Sequence, residues 1–228
     1  MPVHDQLQGS AQPVLSISLE PGESVVAETG EFAWMTDSIR MTARGAGLSD
    51  YTATDEAGTI AFASRLPGSI QRIEVSPEHE FLVHRRGFLA GTPGIEVTVG
   101  FEHELGAPDA PTGEFQLLRV SGTGRAWVGF SGEVVRRALA AGSSLRTHPE
   151  DIGMSDASVT IQLAELAEPA GSHPGQRARL CAVLSGPGAV WLQSMPPPAA
   201  PYHRFGVSPA QLHRGPTAEG AAGPGAAR

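Results

Sequence analysis

Apolar and polar residues alternate with a period of two through most of this chain. Leu15, Ile17 and Leu19 interleave with Ser16, Ser18 and Glu20, and Ile95, Val97, Val99 and Phe101 with Glu96, Thr98 and Gly100. Val159, Ile161 and Leu163 do the same with Thr160 and Gln162. Successive side chains of a strand point to opposite faces, so each stretch predicts a strand with one face on a core and one towards water. Turn-forming runs separate them: Pro21-Gly22-Glu23, Pro67-Gly68, Pro93-Gly94, Pro108-Asp109 and Gly186-Pro187-Gly188. Short strands punctuated in this way read as a sandwich or barrel-like β fold.

The alternating pattern is also written three times. Val14, Ile70 and Val134 open related stretches, with Leu19, Val75 and Leu139, then Pro21, Pro77 and Ala141, then Phe32, Phe88 and Ile152 at matching places. Further on, LLRVSGTGRAWVG (residues 117–129) falls on CAVLSGPGAVWLQ (residues 181–193), so that Gly122, Gly124 and Trp127 match Gly186, Gly188 and Trp191. Repeated units share a backbone, and this decides one ambiguous segment. Residues 131–144 have the Ala and Arg content of a short helix, but their counterpart, residues 67–80, alternates and carries β-branched side chains. Strand is predicted for both. The first unit is shorter than the others by ten residues after Met41. Residues 43–58 are therefore predicted to form a mobile loop exposing Tyr51, with further loops over residues 102–114 and 167–176.

Residues 196–228 hold seven Pro and five Gly and few large apolar groups. Such a segment buries too little surface to offset its ordering entropy and is predicted to be a disordered tail. The expected organisation is an N-terminal arm over residues 1–13, one all-β domain over residues 14–195, and the tail. The fold class is a β-sandwich or double-stranded β-helix-like body of three related units of antiparallel strands.

Composition narrows the function classes. The formal charge of −8, with all 16 basic residues Arg and no Lys, works against nucleic acid as a partner, which requires a basic footprint. No apolar run is long enough for a membrane-spanning helix, and no signal peptide is visible. The single cysteine, Cys181, excludes an internal disulfide, fits a reducing compartment, and aligns with Leu117 as a small buried side chain. Cytoplasmic location is the resulting expectation.

Candidate chemistry is sparse. Glu28, His84 and His148 share one repeat position, and two imidazoles with a carboxylate suit Zn, Fe or Ni if the three converge. The competing reading is a polar position following a strand. His79 and His103 lie among carboxylates, as expected of a solvated edge. Glu23, Glu28 and Glu31 form a charged cluster near the first hairpin, which suits an edge protected against unwanted pairing. No serine lies in a G-x-S-x-G turn. The glycine pairs are followed by strands rather than the helix a phosphate loop opens, so they read as turns with close backbone approach. Trp127 and Trp191, with Phe62 near the equivalent place in unit one, read as packing residues. No catalytic, metal or cofactor-binding residue is assigned, and no cofactor is expected.

The string LEPGESVVAETGEFAWMTDSIRM (residues 19–41), together with FLAGTPGIEVTVGF, GTGRAWVGFSGEV and the closing GPGAVWLQS, resembles the family named for altered inheritance of mitochondria. In bacteria that family is catalogued as a domain of unknown function. The resemblance covers about residues 10–195. It implies a fold similar to the trp RNA-binding attenuation protein, assembled into trimers or other rings, and it brings no catalytic residues. RNA binding by the attenuation protein depends on basic residues around a ring, a requirement this acidic chain does not meet. The expected function is a non-enzymatic oligomeric scaffold or interaction protein, with a homotrimer as the favoured assembly and space between units for a small ligand. The alternatives are a cupin-like metalloenzyme using Glu28, His84 and His148, and an RNA-binding protein.

Overall fold

The computed structural model describes residues 3–64, 66–107, 110–166 and 179–195. Predicted loop 167–176 and tail 196–228 lie outside the described residues. Strand β1 (His4–Gln8) is followed by three sets of six strands. The first set is β2 (Val14–Leu19), β3 (Ser24–Glu28), β4 (Trp34–Met35), β5 (Ile39–Gly45), β6 (Leu48–Ala53) and β7 (Gly58–Ala63). The second is β8 (Gly68–Val75), β9 (Phe81–His84), β10 (Phe88–Gly91), β11 (Ile95–Ala107), β12 (Ala110–Gly122) and β13 (Gly124–Ser131). The third is β14 (Val134–Leu139), β15 (Ser144–Thr147), β16 (Ile152–Asp156), β17 (Thr160–Leu166), β18 (Arg179–Ser185) and β19 (Gly188–Gln193), with a 3₁₀ turn at Pro149–Asp151. Strand β14 lies in the segment whose composition favoured helix, as its counterpart β8 required.

Pairing is antiparallel and follows one scheme in every set. The first strand pairs with the sixth, as in β2–β7, β8–β13 and β14–β19. The third also pairs with the sixth. The second and fourth both pair with the fifth. Sets are joined where the third strand of one pairs with the second strand of the set before it. Gly91 of β10 faces Val26 of β3, and Ser155 of β16 faces Leu82 of β9, which are matching repeat positions. The result is two six-stranded sheets, β5-β6-β3-β10-β13-β8 and β11-β12-β9-β16-β19-β14, and two smaller ones, β1-β2-β7-β4 and β15-β18-β17.

The core occupies the spaces between sheets. Strands at the junctions are buried on both faces, so alternate residues enter different clusters. Val25 and Ala27 of β3 join a first cluster with Leu15, Phe62 and Trp127, while Val26 joins a second with Phe81, Val128 and Met154. Phe81 and Val83 of β9 lie in that second cluster, and Leu82 lies in a third with Phe115, Leu117 and Leu184. This accounts for the unbroken apolar runs Val25-Val26-Ala27 and Phe81-Leu82-Val83. Cys181 is buried as a free thiol. Close backbone approach explains the glycine pairs: a Cβ on Gly122, at φ 93°, would strike the carbonyl oxygen of Gly94.

Three loop and packing expectations are corrected. Residues 43–58 are not a loop: β5 and β6 form a hairpin turning at Gly45-Ala46-Gly47, all at positive φ. Tyr51 is fully buried. Its hydroxyl donates to the carbonyl of Glu28 at 3.1 Å and accepts from the N–H of Gly30 at 2.9 Å. Ala, Ser, Thr and Gly dominate this hairpin, and their small side chains conceal the alternation. Burial raises the Tyr51 hydroxyl above its ordinary pKa, an effect that the Gly30 hydrogen bond opposes and Glu31 and Glu28 reinforce. Residues 102–114 are likewise mostly strand, since β11 and β12 pair out to Ala107 and Ala110. The register also replaces Phe62. Leu19–Gly58, Val75–Gly124 and Leu139–Gly188 are matching pairs, which puts Ala61, not Phe62, at the place of Trp127 and Trp191.

Candidate functional site

The distinctive positions of this molecule lie where one set of strands meets the next. At the first junction Ala90 of β10 pairs with Trp127 of β13, and both are fully buried in the first cluster. At the second, Met154 of β16 pairs with Trp191 of β19, and both pack in the second cluster. In each case the following set supplies one indole and one smaller side chain that close the core of the set before it. The matching pair in the first set is Trp34 of β4 with Ala61 of β7. There the indole has moved to the opposite strand, β4 pairs with no other set among the described residues, and Trp34 is 48% exposed.

The third set shows the converse. Leu139, Leu145 and Leu192 are only partly buried against the third cluster. Their counterparts are nearly inaccessible: Val75, Phe81 and Val128 in the second set, and Leu19, Val25 and Phe62 in the first. Strand β15 ends its sheet, as β4 ends the sheet of the first set.

Polar groups mark the same junctions. His84, at the end of β9, is buried. Its Nε2 lies 3.3 Å from the Glu150 carboxylate of the third set, and the Arg86 N–H donates to its Nδ1 at 3.2 Å. With Nδ1 accepting, the neutral ring carries its proton on Nε2 and donates it to Glu150. The same turn is fixed by Gln193, whose amide donates to the Glu150 carbonyl at 3.1 Å and whose oxygen accepts from the Ser131 N–H at 3.1 Å. His79 lies 3.3 Å from Asp156, another contact between sets. Beside Glu150, burial raises the Asp151 carboxyl above the usual carboxylate range, His148 pulls it down and Glu150 pushes it up.

The shared repeat position therefore does not build a single site. Among the described residues no three His, Cys, Asp or Glu side chains group as metal ligands. Glu28 and His84 end β3 and β9, and His148 precedes the 3₁₀ turn, so each belongs to the end of a different second strand. Glu23 instead accepts a hydrogen bond from the Glu20 N–H at 2.9 Å within its own turn, and His103 is exposed. The residue that inspection of the sequence passes over is Trp34. Its place two residues after Phe32, matching Ala90 and Met154 after Phe88 and Ile152, is readable once the repeat is aligned.

A family model described as mitochondrial biogenesis AIM24 matches residues 6–195, the whole of the strand-bearing region apart from the start of β1. The chain belongs to the AIM24 family. The match spans all three sets, so the family's domain includes the junctions and both exposed ends. No curated protein matches the chain. The crystal structure of a Streptococcus pyogenes protein from a structural genomics programme is similar in fold to this AIM24 member. It has a TM-score of 0.68 at 15% identity, covering 86% of this chain and 94% of the other. That likeness concerns the fold alone. Among the described residues no helix is long and apolar enough to cross a membrane.

Proposed function

We propose that this AIM24-family chain is a non-enzymatic scaffold that works as a homo-oligomer, with a trimer as the favoured number. One observation carries the reading: among the described residues the strand ladder is interrupted at both ends, leaving β4 and β15 as sheet edges beside incompletely covered apolar side chains. Natural proteins cover or blunt such edges, and self-association is one way of covering them. The charge of −8 supports a protein partner over nucleic acid, and the lone buried thiol supports a reducing compartment such as the cytoplasm. Light scattering on the full chain at micromolar concentration tests the reading. A mass of two or more copies is expected, and a monomer would overturn it.

A further inference from the structure

Resting on that reading, we propose that the two open ends are halves of one interface. Strand β4 of one copy pairs with β15 of a second copy, and Trp34 closes the second copy's third core. The partner is another copy of this chain, joined head to tail.

The two small sheets are the missing parts of a third large one. Each six-stranded sheet runs fourth-fifth-second strand of one set, then third-sixth-first strand of the next. The sheet β17-β18-β15 contains the first half of that order, and β4-β7-β2, with β1 beyond it, contains the second. Joining β15 to β4 makes β17-β18-β15-β4-β7-β2, the arrangement the chain builds twice within itself.

The register follows from the internal junctions. Ser155–Leu82 and Gly91–Val26 are matching pairs, and one further step of the same repeat gives Met35 opposite Arg146. Met154–Val83 likewise transfers to Trp34 opposite Thr147. This places the Trp34–Ala61 pair against Leu139, Leu145 and Leu192, as Ala90–Trp127 and Met154–Trp191 stand against the first and second cores. One indole then closes each of three cores. The exposed Trp34 indole and the partly covered third core are complementary in kind and in position. Arg146 stands where Val26 and Leu82 stand, and its long stem can cover apolar surface while the guanidinium reaches water. Because the joined surfaces differ, the contact is heterologous, and repetition closes a ring where the rotation allows.

Cysteine cross-linking tests the register, since facing antiparallel residues lie within disulfide range and Cys181 is buried. Full-length Trp34→Cys and Thr147→Cys chains of distinguishable mass are mixed and oxidised. The expected product is a mixed disulfide dimer. A chain carrying both substitutions should give inter-chain ladders or closed covalent oligomers. Trp34→Glu provides the second measurement, with folding checked by circular dichroism and an expected weakening of association by at least about tenfold. A disulfide confined within single chains of the double variant would overturn the head-to-tail proposal. So would the absence of the mixed dimer together with unchanged association of Trp34→Glu. If the unmodified chain still self-associates in those cases, the scaffold reading stands without this interface. A monomeric unmodified chain removes both.

Discussion

Met154 and Trp34 occupy the same place in two sets of strands and meet opposite surroundings. Met154 sits at an inner junction, fully buried in the second cluster with Phe81 and Trp191, because the second set precedes it. Trp34 sits on the outermost strand of the first set and presents nearly half its surface. The strand pairing is alike, although the indole lies on the opposite strand of the pair (Trp34 faces Ala61, Met154 faces Trp191); what differs for burial is the neighbouring set. Burial at this position is thus a property of the order of units along the chain. The His84 and His148 pair teaches the same lesson with polar groups. One is enclosed and held by Glu150 and the Arg86 N–H, and the other is exposed at the end of β15, which pairs with no other set among the described residues.

Charge at the two equivalent positions separates them most sharply. Met154→Glu inserts a carboxylate into a closed core and should cost more than about 4 kcal/mol, enough to unfold a marginal domain. Trp34→Glu should leave the stability of the dissociated chain within about 0.5 kcal/mol of the original. Urea denaturation at low protein concentration measures both. Equal losses would mean that Trp34 is covered within its own chain. Next in size, Tyr51→Phe removes a buried hydroxyl from Glu28 and Gly30 and should cost about 1–3 kcal/mol.

The histidines should differ in the same direction. His84→Ala strands the Arg86 N–H and the Glu150 carboxylate, for an expected loss of about 1–3 kcal/mol, while His148→Ala should fall within about 0.5 kcal/mol. Comparable losses would erase the contrast between inner and outer ends. The smallest effect concerns Asp151. Its carboxyl pKa is raised on folding, chiefly by burial, so the folded chain holds this proton to higher pH than the unfolded one. Stability from this group is therefore greatest below its ordinary pKa and declines as pH rises through the shifted value. Asp151→Asn should flatten that decline and leave the chain slightly more stable at neutral pH. Thermal melts across the acidic range check the sign.

Much of the architecture is legible in the chain before any coordinate is known, because alternation and repetition both concern local backbone. The strand at Val134–Leu139 was recoverable despite its Ala and Arg content, since its counterpart at Gly68–Val75 could not be helical. The β5–β6 hairpin was hidden for a physical reason. Alternation is visible only where side chains differ strongly in polarity, and Ala43, Gly45, Ser49, Thr52 and Ala53 barely do. Trp34 was hidden differently. A tryptophan beside Phe32 and Met35 reads as core, and its exposure depends on which sheet edges remain unpaired. That is a fact of topology, decided by the third-to-second strand pairing that no single stretch of residues records. Equal repeat positions do not imply convergence: Glu28, His84 and His148 stand at the ends of three different strands, and among the described residues they form no group of metal ligands.

One feature of the N-terminal strand bears on how this chain is made. The Asp5 carboxylate accepts from the Trp127 indole N–H at 3.2 Å and lies 3.4 and 3.5 Å from Arg72 and Arg125, while Arg125 also donates to the Val3 carbonyl at 3.2 Å. During synthesis β1 can zip onto β2 almost at once, but its main tether emerges from the ribosome 122 residues later. Until then the first core lacks the indole that closes it, and the nascent chain carries an unfinished apolar surface while those 122 residues are made. The Asp5 contacts with Trp127 and Arg125 can form only once β13, the last strand of the second set, has been made, so they act as a late latch on β1.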